Sequence, residues 1–335
     1  NSAGTAEPGE PPRVSNAFMA SYFFAQFCGW LAIFTPIVLT IALKVNGLLP
    51  GEEKNAGLGQ ILAIGAFFAL VAGPLWGAIS DRTRLRFGKR RTWILAGSII
   101  LVSGLVVIAS AESLSQVGIG WMICQTGANA TQASLYAVMA DAVPPSQRGR
   151  MSGILGMCVP LAMLTGTFLT QFTTGNDWAM FLVPWLPSVI ALPLFCYLLP
   201  DGPARSVPPF SLPKFLSGFW VNPLAYPDFG WAFLSRFLVL MAAAFLLTYQ
   251  VFFFIDRLGV APEDVPGYIF ITKLTIGILT VTLTPIAGWL ADRFGRIKPF
   301  VVLPALSRTA GLLAARVADP LTIFLVAAVL VGIGQ

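Results

Sequence analysis

Long apolar runs separated by short polar stretches dominate the chain. They cover about 18–43, 57–80, 93–111, 116–140, 151–172, 178–199, 231–255, 266–290 and 299–317. A tenth begins at Pro320 and reaches Gln335. A hydrocarbon core about 30 Å thick is crossed by roughly 20 apolar residues in a helix. Nine runs meet that length, and the pattern predicts nine membrane-crossing helices plus part of a tenth. At 1.5 Å per residue the last run makes about 24 Å of helix. It breaks off without a flanking charge, so the sequence is expected to be a piece of a longer protein. The opening NSAGTAEPGE has no apolar stretch and reads as a polar tail.

Composition narrows the class. Apolar residues make up 56% of the 335 residues and charged residues 11%, against about 25% charge in soluble domains. Such a chain cannot clothe a water-facing surface. The net charge of +6 does not point to nucleic acid, because the basic residues sit in short clusters between apolar runs. Histidine is absent, which removes His-ligated metals and His general bases. No run carries paired carboxylates in mid-membrane, so an embedded enzyme is not expected, and neither is a cofactor or a metal. Cys28, Cys124, Cys158 and Cys196 all lie within apolar runs without CxxC spacing, and read as buried free thiols.

Lys and Arg alternate from loop to loop. Arg82, Arg84, Arg86, Lys89, Arg90 and Arg91 follow the second run, Arg148 and Arg150 the fourth, and Arg293, Arg296 and Lys298 the eighth. The intervening loops are acidic or balanced: Glu52, Glu53 and Lys54; Glu112; Asp177; Asp256, Arg257, Glu263 and Asp264. By the positive-inside rule the even-numbered loops and the N-terminus are cytoplasmic, in a multi-pass protein of the plasma (inner) membrane. The proline-rich stretch 200–228 breaks the rhythm after six runs. It reads as a cytoplasmic linker between a six-helix half, 1–199, and an incomplete second half, 229–335.

A repeat crosses that linker. PLWGAISDR at 74–82 and PIAGWLADR at 285–293 share P-x-x-G-x-x-[SA]-D-R, each at the cytoplasmic end of its run. Phe87-Gly88-Lys89 aligns with Phe294-Gly295-Arg296 after four extra residues in the first copy. A six-helix period is the mark of two parallel halves about an axis along the membrane normal. Gly77 and Gly288 are expected to let helices approach closely. Asp81 and Asp292 can accept hydrogen bonds from a helix N-terminus or from Arg.

These residues resemble the signature loop of the major facilitator superfamily, in the expanded form SDRTRLRFGKRRTW. That form is most similar to the branch of glycoside–cation and sucrose–proton symporters. DAVPPSQRGR at 141–150 is similar to the family's second cytoplasmic signature. The resemblance implies an all-α membrane fold of two six-helix halves with pseudo-two-fold symmetry, of which about ten helices are present. It also implies a conformational latch built from Gly77, Asp81, Arg82, Arg90, Asp141, Arg148, Gly288, Asp292 and Arg293, with Asp81 pairing near Asp141, Arg148 and Arg150.

Intramembrane polar residues are the substrate candidates. Gln125, Asn129, Gln132 and Tyr136 are spaced 4, 3 and 4 apart, on one helical face. Amides and a phenol donate and accept, as a polyol requires. Bundle-holding hydrogen bonds are the other reading of the same residues. Against the sucrose branch, Asn129 and Gln132 match, while Gln125 stands in place of a buried Asp and Tyr136 in place of an Arg. An amide does not titrate, so runs one to nine are not expected to hold a proton-coupling group. Gln26 with Trp30, Tyr249 with Gln250, and Lys273 are further candidates, each with a packing or snorkelling alternative. Arg308 lies deep in the ninth run without an evident partner. The function these features imply is a monomeric transporter of a small polar solute, a sugar or glycoside among the choices, by symport with a coupling ion or by facilitation. The alternatives are a drug or metabolite exporter, whose Gly-Pro pair is here Val159-Pro160, and a non-transporting sensor.

Overall fold

The computed structural model describes residues 13–51, 53–204 and 227–294, together with 306, 307 and 310. The last two apolar runs, with Arg308, therefore lie outside the described residues apart from those three positions. Of Gly288, Asp292 and Arg293 only the helical backbone is described.

All described elements are helical. α1 covers Asn16–Leu48, with a π-helical turn at Pro36–Thr40. α2 is Glu53–Arg82, α3 Arg91–Ala109 and α4 Leu114–Ala142. α5 covers Pro145–Thr170 with a break at Met157. α6 is made of Asp177–Leu182 and Ser188–Leu198. Pro184 and Pro187 occupy the gap between its pieces, where a missing N–H and a fixed φ interrupt the ladder. α7 is Pro227–Phe252, continued by a π turn at Phe253–Arg257, and α8 is Val265–Phe294. Each described helix falls on a predicted run, and Pro227 opens α7 slightly inside the expected linker boundary. Among the described residues, five helical spans are long and apolar enough to cross a membrane. Helix starts are capped as their sequences dictate: the Ser15 hydroxyl accepts from Phe18 N at 3.1 Å and Asn176 Oδ1 from Ala179 N at 3.1 Å.

α3 and α4 pack backbone to backbone. A Cβ on Gly127 would stand 2.3 Å from Leu101 N and 2.5 Å from Gly97 O. One on Gly104 would stand 2.6 Å from Gly120 O. Gly97 and Gly104 face Gly120 and Gly127, each pair seven residues apart and so on one helix face. The close approach expected at Gly77 is not there: a Cβ at Gly77 meets nothing within 4 Å among the described residues. Among the described residues the tight glycine contacts between α3 and α4 lie outside the motif.

Two apolar cores stack along the bundle. One, at the motif face, joins Phe18, Tyr22, Ile94, Leu135, Val138, Met151 and Phe195, all from the first half. Tyr22 anchors it by donating its hydroxyl to Leu135 O at 2.5 Å and stacking on Phe195 at 5.1 Å. The other, toward the far face, joins Val38, Leu39, Leu58, Ile61, Leu105, Ile108 and Trp121 to Val251, Phe252, Phe254, Val265 and Ile269 of the second half. All four cysteines are free and buried.

Candidate functional site

Period 3.6 puts the polar face of α4 against α1 and α2, and a cavity of about 480 Å³ opens there. Gln125, Asn129, Gln132 and Tyr136 of α4 line it, with Trp30, Ile33 and Ile37 of α1 and Ala69 and Gly73 of α2. The wall is amide, phenol, indole and aliphatic, with no charged side chain among these lining residues. The Trp30 and Tyr136 rings meet edge to face with centroids 6.2 Å apart, and Trp30 also packs on Phe34 at 5.0 Å. Tyr136 is 54% exposed, so its ring is available to a solute, while its hydroxyl interacts with the Gln26 and Trp30 side chains.

Gln26 is placed differently from its expected role. It is 1% exposed and stands behind the cavity, where its Nε2 donates to Gln132 Oε1 at 2.9 Å. The pair leaves Gln26 Oε1 and Gln132 Nε2 buried without a partner among the described residues. Asn129 Nδ2 donates to Gln125 O at 2.8 Å, which leaves its oxygen free to accept. Small residues make room for both amides: a Cβ on Gly29 would lie 3.0 Å from Gln132 Nε2, and one on Gly73 would lie 3.2 Å from Asn129 Oδ1. Gly29→Ala should therefore push the Gln132 amide and weaken solute binding by about 0.5–1.5 kcal/mol, the worth of one neutral hydrogen bond. Calorimetric titration of the purified variant checks it.

The other substrate candidates are not brought into this cavity. Gln250 Nε2 donates to Val38 O at 3.0 Å, and Tyr249 lines a separate cleft with Asn55, Phe252 and Asp256. Lys273 is half-buried on α8 and lines neither cavity.

At the motif face, Arg90 is the hub. It is 4% exposed, donating from Nε to Asp141 at 2.8 Å, from Nη1 to Ser80 Oγ at 2.9 Å and from Nη2 to Asp81 at 2.5 Å. Lys89 adds a second cation 3.0 Å from Asp141. Burial alone would lower the Arg90 pKa, but its hydrogen bonds to Asp141 and Asp81 outweigh that and raise it. Burial alone would raise Asp141, but the hydrogen bonds from Arg90 and Lys89 hold it below the usual carboxylate range. Asp81 thus reaches Asp141 through Arg90, tying the end of α2 to the end of α4. Arg148 turns instead to the carbonyls of Val143 and Ala140, at 3.0 and 3.1 Å. Arg82 donates to Ala78 O at 2.9 Å.

Two members of this cluster were not singled out from the sequence. Ser80 is fully buried and donates to Lys89 O at 3.0 Å, and Asp201, just after α6, caps α3. Asp201 Oδ2 accepts from Arg90 N at 2.7 Å and Arg91 N at 2.9 Å. Lys89 N donates to Gly202 O, and Ala204 N to Thr83 O, both at 3.1 Å. Gly88 has φ +122°, and a Cβ there would lie 2.3 Å from Asp201 Oδ2. Asp201→Ala is expected to cost about 0.5–2 kcal/mol, as for a lost helix cap, read as a lower melting temperature. Gly88→Ala should cost more, because the new methyl both strains the backbone and displaces the cap.

The sequence profile of the Major Facilitator Superfamily matches residues 18–335. The chain belongs to the major facilitator superfamily. Among relatives in the superfamily, Myo-inositol transporter 3 of Cryptococcus neoformans var. grubii is 25% identical over 194 residues, 57% of this chain and 31% of that protein. The Gentisate transporter of Corynebacterium glutamicum is 24% identical over 331 residues, 95% of this chain and 70% of that protein. The chain thus spans about a third of the first relative's length and more of the second's. A bacterial homologue of the human lysosomal transporter Spinster, solved inward-facing and unoccupied, superposes with TM-score 0.68 at 18% identity, covering 96% of this chain and 73% of that one. With its membrane-spanning helices, the superfamily member is an integral multi-pass membrane protein.

Proposed function

We propose that the protein carries a small, uncharged, polyhydroxylated solute across the plasma membrane by alternating access. The α1–α2–α4 cavity is the first half's share of the binding site. The observation that carries this is the convergence of Gln125, Asn129, Gln132 and Tyr136, with the Trp30 ring, on one cavity without a charged wall residue. Hydroxyl groups both donate and accept, which suits amides, and an indole face suits the apolar face of a sugar ring. The buried Gln26–Gln132 pair holds one unspent donor and one unspent acceptor for the same chemistry. The myo-inositol relative supports the class of solute. The motif face is cytoplasmic, as the Lys and Arg distribution supports. The Arg90 cluster is the conformational latch, and no group lining the cavity is suited to carry a coupling proton.

A second reading is an aromatic acid, favoured by the match to the Gentisate transporter along 95% of this chain. It asks for a cation near the solute carboxylate, and none lines this cavity. Gln132→Ala separates the readings. It should weaken polyol binding about 2- to 12-fold, as for a lost neutral hydrogen bond, measured by competition against labelled uptake in proteoliposomes of the full-length protein. Unchanged polyol binding after replacing both Gln132 and Asn129 would make the α4 face structural.

A further inference from the structure

We propose that Lys54 and Asp256 form a lock between the two halves at the face opposite the motif, and that its strength sets how often the cavity opens to that side. Lys54 lies at the start of α2 in the first half, and Asp256 lies in the π turn after α7 in the second. Lys54 Nζ is 2.5 Å from Asp256 Oδ1 and donates to Asn46 Oδ1 at 2.9 Å. It also sits over the Phe252 ring, 5.0 Å from the centroid. The lysine is almost fully buried, while the aspartate keeps partial contact with solvent. A second polar contact crosses the halves beside it, from Gln250 Nε2 to Val38 O at 3.0 Å. Val38 lies in the π turn of α1 and Asp256 in that of α7. The first helix of each half thus carries a π turn, and a cross-half contact falls on each. Such turns break the regular ladder and are common at functional sites.

The energetics point one way. In the closed arrangement the Lys54 charge is out of water and is matched by one carboxylate, one amide oxygen and one ring. Removing the carboxylate leaves a buried cation with neutral partners, which destabilises the closed arrangement. Separating the halves returns the ammonium to water, so the open arrangement loses much less. The equilibrium therefore shifts toward opening at this face. The same face holds an internal comparison. Lys44 pairs with Asp177 and approaches Ala109 O, all within the first half. That pair is a staple within one body and has no leverage on opening.

The proposal rests on the alternating-access reading above, but its test needs no solute, so the two fail separately. In the full-length protein, Ala69→Cys places a reporter thiol on the cavity wall, with the reporter-free protein as blank for the buried native cysteines. A membrane-impermeant methanethiosulfonate is applied in turn to each side of sealed vesicles. Asp256→Asn should raise the labelling rate from the face opposite the motif about tenfold, in the usual range for coupling between states. Asp177→Asn should leave the rate within about twofold, and exchanging the charges, Lys54→Asp with Asp256→Lys, should restore slow labelling. An unchanged rate in Asp256→Asn, or an equal rise in Asp177→Asn, overturns the lock. Should Asp256→Asn fail to reach the membrane, Lys54→Cys with Asp256→Cys is bridged by a bifunctional thiol reagent. Bridging should abolish labelling from that face and spare labelling from the motif face. Labelling that persists from both faces overturns the proposal.

Discussion

Replacing Arg90 by methionine is expected to cost about 2–3 kcal/mol of stability and most of the transport rate. Methionine keeps the apolar stem and removes the guanidinium. Three partners then lose the guanidinium at once: Ser80, fully buried, and the partly exposed carboxylates of Asp81 and Asp141, of which Asp141 keeps Lys89. Hydrogen bonds to charged groups are worth about 1.5–3 kcal/mol each when dry, and solvent near the carboxylates reduces the sum. Arg90→Lys should rescue little, because one ammonium cannot reach three acceptors in the geometry of a planar fork. A melting curve and an uptake rate check both parts. The pH dependence follows from the sign of the shift. Asp141 is held below the usual carboxylate range in the folded protein. Its contribution is therefore present above its unfolded value, about 3.9, and is lost as the pH falls through the lower folded value. The wild-type melting temperature should lose the Asp141 contribution only under strongly acidic conditions, and Arg90→Met should show a smaller loss, because Lys89 still faces Asp141.

Gly127→Val and Gly104→Val are expected to destabilise the first half, and by far more than Gly77→Ala at the motif's own glycine. The new side chain starts from a Cβ 2.3 Å from Leu101 N in the first case and 2.6 Å from Gly120 O in the second. Both obstacles are backbone, so neither can rotate away and α3 and α4 must separate. Overpacking a core costs about 1–3 kcal/mol per site, and the two sites share one interface, so the double variant is expected to reach the membrane poorly. Gly77→Ala is the contrast. With nothing within 4 Å of a Cβ there among the described residues, and a helical backbone, it should be neutral or gain a few tenths of a kcal/mol, up to about 1. Detergent melting curves of the three single variants decide this directly.

How much of this the sequence carried depends on the kind of signal. Apolar runs report helix position well, because a helix in lipid must satisfy its own backbone. All eight described helices stand where runs were read. The α4 face was legible too, since spacings of 4, 3 and 4 fix Gln125, Asn129, Gln132 and Tyr136 on one side whatever packs there. What packs there was not legible. Gln26 reads as a solute contact from its place in α1, yet it does not line the cavity and its amide nitrogen goes to Gln132. The resemblance places Arg90 in the latch, but six basic residues share its loop, and only its three-dimensional reach marks it as the hub. Asp201 sits in a proline-rich stretch that reads as linker, and its cap on α3 bridges about 110 residues of chain. The seven-residue glycine spacing of α3 and α4 is present in the sequence, but spacing alone does not say which helix faces meet, whereas the repeat at Gly77 marks a motif and not a close contact.

The most direct measurement is saturable uptake by the full-length protein in proteoliposomes, with a panel of neutral polyols and aromatic acids run against wild type and the Gln132→Ala, Asn129→Ala double variant. The expected result is uptake of a neutral polyol that the double variant weakens at least about fivefold, near the loss of one to two neutral hydrogen bonds. Saturable uptake of an aromatic acid that no polyol inhibits and that the double variant leaves unchanged would contradict the assignment of the α1–α2–α4 cavity as the solute site.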